Sequence, residues 1–231
     1  MNLADYRNIV VLTGAGISQS AGLPTYRGPG GLWSDPELAA LADVGAMRTR
    51  RADACDMFWR FHGAIAKTEP TPAHRALAAF EHRLPPGARF LIVTQNVDGL
   101  HQRAGSRNVC EYHGSLATWR CEVCRSERTP AADEPPPTCC GERMRPNAVL
   151  FGEQIPPAAE RAAKEALRDC DLFVAIGTSG TVWPASSFVR WAELSGARRV
   201  LLNLEIFDGA RDLYGWCEAG TADELVPTWF A

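Results

Sequence analysis

The residues with chemical potential fall into a few short clusters. Glu111-Tyr112-His113-Gly114-Ser115 carries His113. An imidazole titrates near neutrality, which makes it the default general base. Its rivals are His62, His74, His82 and His101. His74 and His82 sit on a helical pattern and suit a surface or satisfied core role; His101 trails a polar cluster and suits a structural one. That cluster, Thr94-Gln95-Asn96-Val97-Asp98-Gly99, follows an apolar run. Gln95, Asn96 and Asp98 there offer donors and acceptors for an amide or a sugar, without a strong nucleophile. Helix capping by Asn96 or Asp98 is the plainer alternative.

Three further clusters also end apolar runs. In Gly14-Ala15-Gly16-Ile17-Ser18 the glycines allow backbone N–H groups to approach a pyrophosphate at a helix N-terminus. The third fingerprint position is Gln19, and no acidic residue closes a second strand about 20 residues on, so an ordinary strand–turn–helix accounts for the same residues. Arg27 follows on a loop able to fold back over a ligand, which strengthens the phosphate reading. Gly177-Thr178-Ser179-Gly180-Thr181-Val182 is a small-residue loop able to hug a ligand or a peptide. Asn203-Leu204-Glu205 ends in a carboxylate suited to ribose hydroxyls, or simply to solvent.

The last cluster is Cys121-x-x-Cys124 followed, beyond a proline-rich loop, by Cys139-Cys140. Two thiolate pairs at the ends of a loop suit tetrahedral structural zinc. A ribbon this small would depend on the metal for folding. The adjacent second pair can ligate with both sulfurs only through a strained turn, so a partly occupied site is the alternative. Cys55, Cys110, Cys170 and Cys217 stand alone and read as small buried hydrophobes.

The elements that must position these groups are legible as patterns. Asn8–Thr13, Phe90–Thr94, Leu172–Ile176 and Arg199–Leu204 are apolar runs of the kind buried on both faces of a sheet. Between them lie helical patterns, among them Pro72–Arg83 and Pro157–Arg168. The alternation predicts a parallel sheet with helices on both faces, which binds ligands at the carboxyl ends of its strands. Residues 28 to about 71 and 116 to 147 break the rhythm and read as insertions. With 231 residues, 46% apolar and 22% charged, the chain is long enough for a real core and too apolar for disorder. A net charge of -3 makes bulk nucleic-acid binding a poor expectation. No apolar run reaches membrane-spanning length and no signal-peptide pattern is visible, so the expectation is a cytoplasmic protein with reduced thiols.

Taken in order, GAGISQSAGLPTYRG, TQNVDGLH, YHGS, the CxxC with its second cysteine pair, RPNAVLFGE, GTSGTVWPAS and NLE resemble the sirtuin family of NAD-dependent protein lysine deacylases, bacterial type. The resemblance spans about Asn8 to Pro227. It implies a Rossmann-like NAD-binding domain from residues 1–28, 72–115 and 148–231, a helical insertion at 29–71 and a zinc-binding ribbon at 116–147. It further implies that Gly14, Ala15, Gly16, Ser18, Thr25, Tyr26, Arg27 and Trp33 line the phosphates and the nicotinamide ribose. Gln95, Asn96 and Asp98 would hold the nicotinamide and its ribose. Gly177, Thr178, Ser179, Asn203, Glu205 and Ala222 would bind the adenosine half.

By the same resemblance His113 is the general base, with Asn96 the second catalytic residue. Val149, Phe151, Gly152, Glu153 and Val182 would meet the substrate peptide, Val149 to Glu153 pairing with it as an added strand. Cys121, Cys124, Cys139 and Cys140 would hold structural zinc. In the implied reaction the acyl oxygen attacks C1′ of the ribose as nicotinamide leaves, and His113 then takes a proton from a ribose hydroxyl. The products are nicotinamide, free lysine and O-acyl-ADP-ribose. The implied partners are acyl-lysine proteins or peptides, with neither nucleic acid nor membrane.

The chain departs from the family pattern in two places. Ala21 stands where many relatives have serine. Sirtuins that remove succinyl or malonyl groups carry a Tyr-x-x-Arg pair, and here Trp59 and His62 occupy those positions. A histidine binds a carboxylate less firmly than the arginine fork, so neutral acyl groups are the expectation, unless Arg60 compensates in a shifted register. Three rival functions remain. Mono-ADP-ribosyl transfer would use the same site. A non-enzymatic NAD-sensing zinc-ribbon module would bind NAD without releasing nicotinamide. A dehydrogenase would need the missing third glycine and early acid.

Overall fold

The computed structural model describes residues 3–25 and 31–231, without the side chains of Ala4 and Trp33. The apolar runs form the centre of the molecule. β1 (Asn8–Thr13), β2 (Arg89–Thr94) and β9 (Leu172–Ile176) lie side by side, extended by β3 (Val109–Glu111) at one edge. β10 (Arg198–Asn203) and β11 (Trp216–Ala219) extend the other edge. The order is β11-β10-β9-β1-β2-β3, and every neighbouring pair is parallel. Side chains alternate across a strand, so Val10 and Leu12 face one layer while Ile9 and Val11 face the other.

The first layer contains α6 (Pro157–Arg168), α7 (Phe188–Leu194) and α8 (Ala210–Tyr214), through Leu167, Phe188 and Tyr214. The second contains α4 (Pro72–Arg83) and α9 (Ala222–Trp229), through Leu77, Phe80 and Val226. α4 starts at a capping box formed by Thr71 and His74. Strand β11 has no counterpart among the expected strands. It is a four-residue edge strand with only Cys217 buried, too short and too exposed to leave an apolar run.

The two insertions share a third core. α1 (Pro36–Leu41), α2 (Ala46–Thr49) and α3 (Arg51–Ala66) pack Leu41, Met47 and Phe58 against Trp119, Met144 and Leu150. Trp119 lies on β4 (Gly114–Arg120), which pairs antiparallel with β5 (Glu127–Arg128) and with β8 (Arg145–Ala148). β6 (Thr138–Cys139) and β7 (Glu142–Arg143) form a small separate hairpin. The ladder from Gly114 to Ala148 joins the ribbon directly to the segments that enter and leave the parallel sheet. α5 (Leu100–Arg103) follows β2. Among the described residues no helix is long and apolar enough to cross a membrane.

Candidate active site

Strands are added outward from β1 in one direction and from β9 in the other, so β1 and β9 flank the point where the connection order reverses. In open parallel sheets ligands bind at the carboxyl ends of the strands beside such a reversal. The loop after β1 and the loop after β9 meet there. Gly14 N–H donates to Ile176 O at 3.0 Å, and Gly16 N–H to Gly177 O at 2.9 Å. A Cβ on Gly16 would stand 2.7 Å from Gly177 Cα, and one on Gly177 would stand 2.7 Å from Gly16 C, with Gly177 at φ +58. The sequence suggests Gly14 and Gly16 as a cradle for pyrophosphate; together with Gly177 they are also the condition for the two loops to touch at all.

The loop after β2 closes the third side. Gln95 Nε2 donates to Thr178 Oγ1 at 3.1 Å. Asn96 Nδ2 donates to Gly14 O and to Ser18 Oγ, both at 3.1 Å. Ser18 Oγ in turn donates to Asp98 Oδ2 at 2.7 Å, and Asp98 Oδ1 accepts from Leu100 N–H at 3.0 Å. The N-cap of the helix that follows is Gly99, with no side-chain cap, so neither Asn96 nor Asp98 is the capping residue; Asp98 closes a turn onto Leu100 and is a member of the site. Burial pushes its carboxyl up, against the pull of these hydrogen bonds. Asn96 is 3% exposed and its Oδ1 has no partner in the protein. A buried acceptor left open where three loops converge fits a ligand carrying donors, such as a hydroxyl or an amide.

His113 reaches this cluster from the neighbouring strand, between β3 and β4. Tyr112 before it is 1% exposed, donates its N–H to Thr94 O at 2.9 Å and packs edge-on against Phe188. The His113 Nδ1 lies 3.1 Å from Gln95 O. A carbonyl only accepts, so Nδ1 carries the hydrogen and the neutral ring keeps its lone pair on Nε2. Burial lowers the His113 pKa, with the Gln95 bond acting in the opposite sense. His101 and His74 are different in kind. His101 Nε2 pairs with Thr13 Oγ1 at 2.9 Å, and His74 Nδ1 with Thr71 Oγ1 at 2.8 Å. Both are buried in contact with each other, and burial pushes His74 down to about 4. They brace the start of the glycine loop as neutral core residues.

The remaining candidates spread outward from this centre. Ala15 and Thr25 are half-buried, and Ser179 is exposed with its hydroxyl on Thr181 Oγ1 at 2.9 Å. Asn203 Nδ2 donates to Glu205 O at 2.9 Å, while Glu205 itself is exposed. Ala222 opens α9 and is half-buried. Tyr26 and Arg27 lie outside the described residues, as does the Trp33 side chain.

On the opposite side, Val149 N–H donates to His113 O at 2.8 Å, Phe151 N–H to Ala42 O at 3.0 Å, and Val44 N–H to Phe151 O at 2.9 Å. Phe151 and Gly152 are exposed and Val182 is half-buried. Glu153 turns inward: its two oxygens take Arg145 Nη1 at 2.6 Å and Nη2 at 2.9 Å. Trp59 and His62 stack at 4.8 Å, with Trp119 edge-on to both. His62 Nδ1 bonds Leu116 O at 3.1 Å and its Nε2 is buried without a partner. Leu116 N–H donates to Val97 O at 3.0 Å, which ties this aromatic pair to the Asn96 loop. Arg145 opens the RPNAVLFGE motif, but the sequence assigns it no role; an arginine beside the apolar stretch Ala148-Val149-Leu150 is the available signal.

The four clustered cysteines converge. The sulfurs of Cys121, Cys124, Cys139 and Cys140 all lie within 4.8 Å of one another. Cys140 adopts φ 51, the left-handed turn that adjacent cysteines need to face one point. Four sulfurs this close together could hold one metal ion, the donor set the sequence expects for structural zinc. Cys121, 2% exposed, anchors the cluster to the third core.

Comparison with known proteins agrees with this architecture. The model of the Sir2 family matches residues 14–184. NAD-dependent protein deacylase 2 of Pyrobaculum aerophilum is 43% identical over 217 residues, covering 89% of this chain and 84% of its own. A solved Sir2 homolog–NAD complex superposes with a TM-score of 0.87 at 32% identity, covering 98% of this chain and 89% of that one. A Sir2–p53 peptide–NAD+ structure has a TM-score of 0.81 at 29% identity, with 97% of this chain and 92% of that one covered.

Proposed function

Because this chain belongs to the Sir2 family, the sirtuins, we propose that it is an NAD-dependent protein lysine deacylase whose chemistry takes place in the crevice between the β1, β2 and β9 loops. The observation that carries the assignment of roles is the pairing, in that crevice, of the open Asn96 Oδ1 with a His113 ring oriented by the adjacent Gln95 carbonyl. NAD, when bound, supplies the glycosidic bond whose cleavage releases nicotinamide and the ribose that receives the acyl group.

The protein's share is orientation, exclusion of water and one proton. Gly14, Ala15, Gly16 and Ser18, with Thr25, Tyr26, Arg27 and Trp33, hold the phosphates and the nicotinamide ribose. Gln95, Asn96 and Asp98 orient the nicotinamide and its ribose. Gly177, Thr178, Ser179, Asn203, Glu205 and Ala222 take the adenosine half. His113 accepts a ribose hydroxyl proton on Nε2. Val149, Phe151, Gly152 and Val182 dock the peptide, and Trp59 with His62 borders the acyl group.

Residues 1–28, 72–115 and 148–231 act as the NAD-binding domain, 29–71 as the helical insertion and 116–147 as the ribbon. Cys121, Cys124, Cys139 and Cys140 would hold zinc, a redox-inert ion that crosslinks the ribbon and takes no part in the reaction. A cytoplasmic setting, where thiols stay reduced, suits eight cysteines that form no disulfide.

The test is to incubate the protein with NAD and a panel of acyl-lysine peptides and follow nicotinamide and deacylated peptide together. Stoichiometric appearance of both supports the assignment. Nicotinamide release with ADP-ribose attached to a protein side chain would replace it by ADP-ribosyl transfer, and NAD binding without nicotinamide release would end the enzymatic reading.

A further inference from the structure

Arg145 is 1% exposed, and a guanidinium so deeply buried requires partners for its donors. It finds them almost entirely within one short arc of chain. Its Nη1 and Nη2 fork onto the two oxygens of Glu153 at 2.6 and 2.9 Å. Nη2 also donates to Ala148 O at 3.0 Å, and Nε to Pro146 O at 3.2 Å. Glu153 Oε2 takes the Leu150 N–H at 2.9 Å as well. The arc Ala148–Glu153 is thus closed at both ends onto a single side chain. Between those ends lie Val149, bonded through its N–H to the His113 carbonyl, and Phe151, bonded to Ala42 and Val44. On its other side Arg145 Nη1 lies 3.5 Å from Glu122 Oε1, and Glu122 stands between Cys121 and Cys124. Arg51 holds the second Glu122 oxygen at 2.6 Å.

We propose that Arg145 is a positioning residue: its bidentate pair with Glu153 sets the segment Val149–Gly152 in register with His113 for peptide docking, and its Glu122 contact ties that segment to the four-cysteine site. The inference rests on the reading of Val149–Gly152 as the peptide-docking segment. It removes Glu153 from direct contact with the peptide and makes it the internal counter-ion of the arc. Lysine in place of arginine keeps the charge but presents a point rather than a fork, so it cannot hold both carboxylate oxygens and the Ala148 carbonyl together.

The experiment compares wild type, Arg145→Lys and Glu153→Gln by steady-state kinetics with acyl-lysine peptide and NAD varied separately. Direct binding of a fluorescent acyl-lysine peptide and the zinc content of each protein are measured alongside. For each variant the expected result is a rise in peptide KM and peptide Kd of about tenfold, with NAD KM changed by less than about twofold and zinc content unchanged. Peptide KM within about twofold of wild type in both variants would overturn the inference. So would a parallel loss of peptide binding, NAD binding and zinc, which marks a general structural role. Glu153→Gln keeps the side-chain shape and one acceptor, so it carries the test if Arg145→Lys does not fold. A wild-type protein that releases no nicotinamide with any acyl peptide would instead strike the deacylase reading itself.

Discussion

The Nδ1 atom of His113 lies 3.1 Å from the backbone oxygen of Gln95, the residue that precedes Asn96. That contact fixes the tautomer and leaves Nε2 as the basic atom. Burial lowers the His113 pKa, so the neutral base persists below the ordinary imidazole range. Activity should therefore be flat near neutrality and fall with acidification, through a midpoint below the usual value of about 6.5. His113→Ala should reduce deacylation by about 10²–10⁴-fold with an unchanged melting profile. A pH–rate profile with its acid limb above neutrality, or robust turnover by the alanine variant, would remove His113 from this role.

Asn96 joins the three loops through Nδ2 and keeps Oδ1 open. Asn96→Ala deletes both the tie and the acceptor. It should lower kcat/KM for NAD by roughly 5- to 150-fold, corresponding to about 1–3 kcal/mol for an unmatched buried polar group. Initial rates at varied NAD check this, and a change confined to peptide KM would contradict it.

Gly177 and Gly196 form a matched pair for testing loop contact. Both have positive φ, but a Cβ on Gly177 meets Gly16 and Ile17 backbone at 2.7 Å while one on Gly196 meets nothing within 4 Å. Gly196→Ala should cost about 1–2 kcal/mol from the left-handed backbone alone. Gly177→Ala adds overpacking of about 1–3 kcal/mol and should also weaken NAD binding. Denaturant unfolding and NAD titration separate the two; equal costs would show that the loops do not need their contact.

The convergence of four sulfurs predicts one zinc ion per chain by elemental analysis. Cys140→Ser, at the residue with φ 51, should lose that ion. Chelation should expose the ribbon to proteolysis between Cys124 and Cys139, because so small a hairpin has little core without its metal. A Cys140→Ser protein with full zinc content would mean that three thiols suffice.

The acyl-group preference follows from His62. Its Nδ1 is committed to the Leu116 carbonyl and its ring is stacked on Trp59, so it does not present the paired donors of an arginine fork. A succinyl carboxylate would find no such fork there, and acetyl-lysine should be processed with about tenfold higher kcat/KM. His62→Arg should narrow that gap. Higher efficiency on succinyl-lysine in the unmodified protein would refute the preference.

The sequence alone determined the parallel sheet and the order of the motifs. Asn8–Thr13 and Leu172–Ile176 are strands with the predicted bounds, and Pro72–Arg83 and Pro157–Arg168 are helices with theirs. Strand burial, helix periodicity and proline at the first turn are local properties that residue order carries without help. Only the tertiary structure decided which partner each polar group takes. It set Gly177 against Gly16, gave Thr13 to His101, turned Glu153 onto Arg145 and merged the two insertions into one core. Those choices join residues far apart in the chain or around a tight arc. They follow from burial, which leaves each desolvated donor and acceptor only the partners that packing brings within reach.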